Sequence, residues 1–375
     1  MSAATTAVAD LVRVEDLAAL ARGAAVLGTG GGGDPYVGRL LAEQALREYG
    51  PVRLVSPAEL PDDACVVPVA MMGAPTVMVE KTPSVELIGR TVTALTEHLR
   101  VTPTHLACIE AGGINSTIPL VAAAQLGLPL VDGDGMGRAF PELQMVLPTL
   151  SGIAATPMSI ADEKGNVGVL HTIDNHWAES LARTLTITMG CSAIISNYLM
   201  SGAQARESLV AGTLSLCRTL GRRIEAVRAD HGDPVAAVAD ELGGRVLHTG
   251  KVTDVARRTT TGFARGDATV AGPDGVLELR FQNEHLVAVR DGDVLVSTPD
   301  LIIVLDSDTG EPVTTEALRF GHRVSVLGAP ADPRWHSAAA IELVGPRYFG
   351  YDHDPVRVWG GPAPVPAPSH PGGAR

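Results

Sequence analysis

Apolar residues recur along the first third of the chain with two alternating periods. From Asp10 to Ala25 they fall at Leu11, Val14, Leu17, Leu20 and Ala21, one face of a helix. Tyr36 to Tyr49 is amphipathic in the same way, Ser84 to Leu99 reads as a helix, and another runs from Asn115 to about Leu126. Between them lie strand-length runs at Val52 to Val55, Ala64 to Met71, Leu106 to Ile109 and Leu128 to Val131. This alternation predicts a mainly parallel sheet with helices packed on it.

The rhythm changes after Ser151. Ala154 to Ile160 and Val167 to Thr172 predict a hairpin turning on Asp162 to Gly165, and Asp174 is placed to cap a helix running to about Met189. More helix is predicted from Gly202 to Leu220 and from Pro234 to Leu242. From Arg245 to Leu327 short β-type runs alternate with turns at Gly272 to Gly275, Arg290 to Gly292 and Asp308 to Gly310. The expected fold is an α/β N-terminal domain with a mainly parallel sheet, plus a β-rich C-terminal domain with a helical insert. The expected boundaries are 1–172 for the α/β domain, 173–244 for a helical connecting segment, 245–360 for the β-rich domain and 361–375 for a Pro-, Gly- and Ala-rich disordered tail.

Composition narrows the function classes. A length of 375 residues exceeds what one core usually serves. A net charge of −13 with only 3% aromatic residues argues against nucleic-acid binding, which calls for a basic stripe or stacking platforms. Cys65, Cys108, Cys191 and Cys217 form no CxxC, so no metal cluster or redox motif is supported. The first residues carry no basic region followed by an apolar core, and no apolar run reaches the roughly 18 to 20 residues that span a bilayer. A cytoplasmic protein with reduced thiols, off the membrane, is the expectation.

The densest chemistry is Asp132-Gly-Asp134-Gly-Met-Gly-Arg138-Ala-Phe-Pro-Glu142, directly after the apolar run at Leu128 to Val131. Ligands of open α/β sheets bind beyond the carboxyl ends of strands. The Asp132/Asp134 pair admits three readings: ligands for a hard cation, a general base raised by its like-charged neighbour, or partners of Arg138 in a structural network. Arg138 is alternatively a bidentate clamp for a substrate carboxylate. Thr29-Gly30-Gly31-Gly32-Gly33-Asp34 precedes a helix and offers free N–H groups to a polar or carboxylate ligand, or else forms a tight turn capped by Asp34. Met71 and Met72 either line an adaptable apolar pocket or fill the core.

Glu110 stands at a strand end next to two glycines, placed for proton transfer or for clamping N–H pairs, and Asn115 or Ser116 is a candidate helix cap. His171 and His176 are five apart, which is not the metal spacing of HExxH, and are read as surface or capping residues. Cys191 is the best nucleophile candidate if it lies near a helix start, and otherwise a small buried apolar residue. Gln282-Asn283-Glu284 interrupts the strand pattern from Leu277 to Val289, so one polar side chain is expected to point inward and to need a partner.

Together, Leu27 to Pro35, Glu110 to Asn115, the fourteen residues Asp132 to Met145, Gly262 to Gly266, Phe281 to Glu284 and Thr298 to Ile302 resemble the S-methyl thiohydantoin desulfurase family over about residues 8 to 355. The resemblance implies a two-domain protein that hydrolytically removes a methylthio group from a hydantoin-like ring, and association with hydantoinase/oxoprolinase-type proteins. On the residues themselves, a carboxylate among Asp132, Asp134 and Glu110 is the expected base and another of the set the acid. Cys191 attack is the covalent alternative. Gly30, Gly31, Gly32, Gly33, Asp34, Met72, Asn115, Arg138, Glu142, Asn283 and Glu284 are the expected substrate contacts. No cofactor and a homo-oligomer are expected. Two other functions fit the same residues: a non-catalytic cyclic-ureide-binding subunit of a hydantoinase-like system, and a divalent-metal-dependent cyclic-amide hydrolase with Asp132 and Asp134 as ligands.

Overall fold

The structure is a computed structural model that describes residues 10–33, 35–73, 85–260 and 263–359. Asp34, most of the segment after Gly73 and the Pro-rich tail lie outside the described residues. No helix among the described residues is long and apolar enough to cross a membrane.

Two sheets organise the chain. The first holds β1 (Leu11–Val12), β2 (Val52–Val55), β3 (Cys65–Gly73), β4 (His105–Cys108), β5 (Leu130–Asp134), β6 (Met158–Ala161), β7 (Val167–Leu170), β8 (Ser192–Ser196), β9 (Met200–Ser201) and β10 (Val210–Ala211). Its order is β1-β2-β5-β4-β3-β8-β6-β7, with β10 on β5 and β9 on β3. Strands β2, β5, β4 and β3 are mutually parallel, and the flanking pairs are antiparallel. β3 is apolar along nearly its whole length because it is covered on both faces. The helices Leu17–Leu27 and Thr213–Ala229 cross so closely that a Cβ on Gly23 would lie 1.9 Å from the Cys217 carbonyl oxygen.

The second sheet is antiparallel throughout. It comprises β11 (Arg245–Thr260), β12 (Phe263–Gly272), β13 (Gly275–Gln282), β14 (Glu284–Arg290), β15 (Asp293–Ser297), β16 (Leu301–Asp306) and β17 (Arg323–Ala329), in the order β15-β14-β13-β12-β11-β17-β16. The α/β and β-rich parts expected from the hydrophobic pattern are both present.

Three differences bear on the site. β5 runs on to Asp134 and does not end at Val131, so Asp132 and Asp134 sit within a strand and not on a loop beyond it. The stretch 173–244 is more than a helical connector: it supplies β8, β9 and β10 to the first sheet, and β10 divides the expected long helix into Gly202–Ser208 and Thr213–Ala229. The run at Gln282 to Glu284 does not interrupt one strand. It is a hairpin tip, with Asn283 left-handed at φ 57 between β13 and β14.

The tip of that hairpin is tied to the glycine loop of the first domain. The His285 N–H donates to the Thr29 carbonyl at 2.8 Å, and the Thr315 N–H to the Gly30 carbonyl at 2.8 Å. Arg138, with no solvent exposure, crosses the same junction. Its Nη1 donates to the Pro299 and Asp300 carbonyls at 2.6 and 2.8 Å, its Nη2 to Thr29 Oγ1 at 3.1 Å, and its Nε to the Ala139 carbonyl at 3.0 Å. The guanidinium lies over the Phe140 ring at 4.4 Å. Phe140 in turn meets Trp335 edge-on, and Trp335 Nε1 donates to the Met136 carbonyl at 2.8 Å.

Replacing Arg138 by Met should leave buried carbonyls and Thr29 without donors and cost about 3 to 5 kcal/mol. Lys should not restore the loss, because an ammonium cannot present a fork. A urea midpoint for Arg138→Met equal to that of the wild type would show that the guanidinium is not what couples the two sheets.

Candidate functional site

A cleft opens between the carboxyl ends of β3 and β4, the helix Asn175–Thr188 and the β13–β14 hairpin tip. Its volume is about 90 Å³, room for several waters or one small ring. The walls are apolar through Met71, Met72, Ile109, Phe140 and Ile195, among others. Into them are set Glu110, Asn115, Glu142, Asn197, Asn283 and Glu284, with Glu179 and Arg183 on the helix side.

Glu110 lies two residues past Cys108, the last residue of β4. Its Oε1 accepts from Asn115 Nδ2 at 2.6 Å. Asn115 is itself fixed to β3, its Oδ1 accepting from the Met71 N–H at 2.7 Å and its Nδ2 donating to the Met71 carbonyl at 3.2 Å. Asn115 therefore holds a carboxylate in place and does not act as the helix cap expected of it or of Ser116; it lies within a short 3₁₀ turn, Gly113–Ser116. Burial pushes the Glu110 carboxyl up to about 8; the Asn115 bond opposes this and the nearby Asp134 adds to it.

Glu284 reaches the same cleft from the second sheet. Its Oε1 accepts from the Gly32 N–H at 3.3 Å, and its Oε2 is buried with no partner among the described residues. Burial raises this carboxyl well above the ordinary range, Glu110 raises it further, and the charge of Arg138 pulls the other way. Two buried carboxyls thus share one cleft, the arrangement in which one ionises at the expense of the other.

The glycine loop meets a carboxyl group of the protein's own. A Cβ on Gly31 would lie 2.0 Å from Glu284 Oε1, and one on Gly113 would lie 2.1 Å from the Gly32 carbonyl oxygen. Gly32 and Gly33 line the cleft, whereas Gly30 and Gly31 are packed against His285 and Glu284. The imidazole of His285 is buried, both its ring nitrogens lack partners, and burial with the Arg138 charge nearby holds it down to about 3.

Several expected roles change. Asp134 is fully buried, and its oxygens accept from the N–H groups of Ala111, Met136 and Gly137 at 2.9 to 3.1 Å. Asp132 caps the helix Thr213–Ala229: Oδ1 accepts from the Leu214 and Ser215 N–H groups at 3.1 and 3.0 Å, and Oδ2 from the Ser215 hydroxyl at 2.6 Å. Neither lines the cleft. Both work as structural acceptors, so neither is placed as base, acid or metal ligand. Among the described residues no group of three or more His, Cys, Asp or Glu side chains is arranged to hold a metal ion.

Arg138 is spent on protein carbonyls and is not free to clamp a substrate carboxylate. Among the described residues the cleft-facing cation is Arg183, held by Glu179 Oε1 at 2.7 Å and lying 4.6 Å over the Phe263 ring. Cys191 is outside the cleft lining and follows the carbonyl end of the helix Asn175–Thr188, not a helix start. Glu142 does line the cleft, its Oε2 accepting from Tyr348 Oη and Gln144 Nε2, each at 2.6 Å.

Sequence reasoning missed Glu179, Arg183 and Asn197. The available signal was the apolar run Ala193 to Ile195 followed by Ser-Asn-Tyr, a strand with polar residues at its end, the same pattern that marked Glu110.

Two family models cover most of the chain. One described as the S-Me-THD-like N-terminal domain matches residues 15–172, and one described as the S-Me-THD-like C-terminal domain matches residues 173–358. A crystal structure of a protein from Chromobacterium violaceum is similar at 25% identity with a TM-score of 0.80, covering 93% of this chain and 100% of its own. No curated protein matches the chain.

A carboxyl raised from 4.5 to about 8 keeps a proton in the folded state that the unfolded chain has already released. Its contribution to stability is full below the unfolded value and is lost as pH rises toward 8. Glu110→Gln should therefore gain stability relative to the wild type between pH 5 and pH 9 by a few kcal/mol, on a scale of about 1.4 kcal/mol per tenfold change in proton affinity. Parallel stability curves for the two proteins across that range would contradict the assignment.

Proposed function

The chain belongs to the S-Me-THD-like family, that of the S-methyl thiohydantoin desulfurases, and on that footing we propose that it is a hydrolase that removes the methylthio group from an S-methyl thiohydantoin-type ring. The observation that supports this most is the meeting of Glu110 and Glu284 across one small, mostly apolar cleft.

The reacting carbon of such a ring is an isothiourea carbon between two nitrogens. Glu110, fixed by Asn115, is the carboxyl of the pair that ionises first and takes a proton from the attacking water. The new C–O bond forms as the ring C=N π bond opens onto nitrogen, and the hydroxyl proton of the resulting tetrahedral carbon passes to that nitrogen. Glu284, whose Oε2 is unpaired and whose carboxyl burial keeps protonated, supplies the proton that leaves with sulfur as the C–S bond breaks. The products are a ring carbonyl and methanethiol. Glu110 ends protonated and Glu284 ionised, so one proton passing between them restores the pair. The apolar walls at Met71, Met72 and Phe140 suit the methylthio group. Asp134, behind Glu110, acts on the reaction only through the field that raises that carboxyl. Covalent attack by Cys191 has no support from its position.

Methanethiol release from an S-methylated thiohydantoin, followed with a thiol reagent, tests this reading. Glu110→Gln should lower turnover at least about 100-fold. The wild-type kcat/KM should rise with pH to a plateau above about 8, since the base acts ionised. A folded Glu110→Gln protein with near-normal turnover moves the base elsewhere. Tight binding without thiol release favours a ureide-binding subunit, and activity lost to a chelator favours a metal-dependent cyclic-amide hydrolase.

A further inference from the structure

One cleft residue outside the carboxyl pair has an unmet requirement. Asn197 has no solvent exposure, and neither its Oδ1 nor its Nδ2 has a hydrogen-bond partner among the described residues, yet it lines the cleft. A carboxamide buried with both ends unpaired is costly, and such groups persist where something else pairs them. Its backbone is held on both sides. Ser196 pairs with Val69 and Ser159 in the sheet, and its Oγ donates to the Pro68 carbonyl at 2.9 Å. Tyr198 is left-handed at φ 47 and buried, with its Oη 2.8 Å from Thr149 Oγ1.

The other carboxamides of the cleft are engaged. Asn115 is bonded at both ends, and Asn283 Oδ1 accepts from the Ala264 N–H at 2.9 Å. Asn197 alone among these offers an acceptor and a donor side by side. The complement of that pair is an N–H next to a C=O, which is the amide edge of a cyclic amide or ureide.

We infer that Asn197 selects the substrate ring: its Oδ1 accepts a ring N–H while its Nδ2 donates to the adjacent ring carbonyl. This rests on the reading of the cleft as the ring's site and adds which rings fit it. The site takes five-membered rings whose amide edge is unsubstituted and rejects those alkylated on that nitrogen, because methylation removes the donor and leaves Oδ1 buried and unpaired.

The test compares thiol release from an S-methyl thiohydantoin with its ring amide N–H free and from the same ring methylated there, using wild type, Asn197→Ala and Asn197→Leu. Wild type should prefer the free N–H by at least about 100-fold in kcat/KM, as sites built around a substrate hydrogen bond do. Both variants should lose most of that preference, chiefly by slowing on the free ring. Asn197→Leu should keep or raise Tm, because an apolar side chain leaves nothing unpaired; a structural asparagine would lower it. Wild type that releases thiol equally from both rings, or variants that keep the wild-type preference, overturn this inference alone. Wild type that releases thiol from neither ring overturns the functional reading and this inference with it. The wild-type comparison of the two rings needs no variant to fold.

Discussion

Arg138 carries a permanent charge into a place that water does not reach, and its N–H groups must all be answered there by protein. They are answered by the carbonyls of Ala139, Pro299, Asp300 and, at 3.5 Å, His285, and by Thr29 Oγ1, from four separate parts of the chain. The glycine loop, the 135–140 loop and the second sheet are thereby held in one relative position. That position decides where the β13–β14 hairpin tip falls, and with it the carboxyl of Glu284. The same cation also tempers the rise of Glu284 that burial and Glu110 produce. Coupling of the two sheets and tuning of the site are two consequences of one buried charge.

The carboxylates of the first domain show how a residue's environment sets its use. Asp132 and Asp134 lie on β5, where backbone N–H groups converge on their oxygens. Glu110 lies just past the end of β4, where one asparagine holds one of its oxygens and the side chain faces a cleft. All are acids near parallel strand ends. Those answered by several N–H groups are engaged as structural acceptors, and the one left with a single donor has its carboxyl pushed up to about 8 by burial. Asp134 nevertheless reaches the site through its field, which adds to the rise of Glu110.

The glycine loop makes a related point about anion sites. Its geometry is that of a turn before a helix, with N–H groups free to meet negative charge. What it meets is the Glu284 carboxyl from the other sheet, and the glycines are needed because that side chain and the Gly112–Gly113 backbone press against the loop. A loop that reads as a ligand cradle in sequence is here part of the scaffold that carries a candidate acid. Among the buried polar atoms without partners in the described residues, Glu284 Oε2 and both ends of Asn197 belong to cleft residues.

Local patterning determined the parallel strand core, most of the helices that cover it, the antiparallel β-rich half, and the polar clusters at Glu110, Asn115, Glu142, Asn283 and Glu284 that line the cleft. Those signals are short-range: side-chain periodicity fixes an element, and polar residues just past an apolar run mark its exposed end. Tertiary structure decided the rest. Whether β5 ended at Val131 or ran on to Asp134 depended on pairing with β4 and β10, and that register turned two apparent catalytic aspartates into structural acceptors. Whether residues 192–196 formed a strand depended on an open edge at β3, and only that pairing brings Asn197 to the cleft. The partners of Arg138 other than Ala139 lie more than 100 residues away, so no local pattern could separate a substrate clamp from a bolt between two sheets. Hydrogen-bond satisfaction is settled by what the whole fold brings within about 3 Å, and that is where the sequence alone stops.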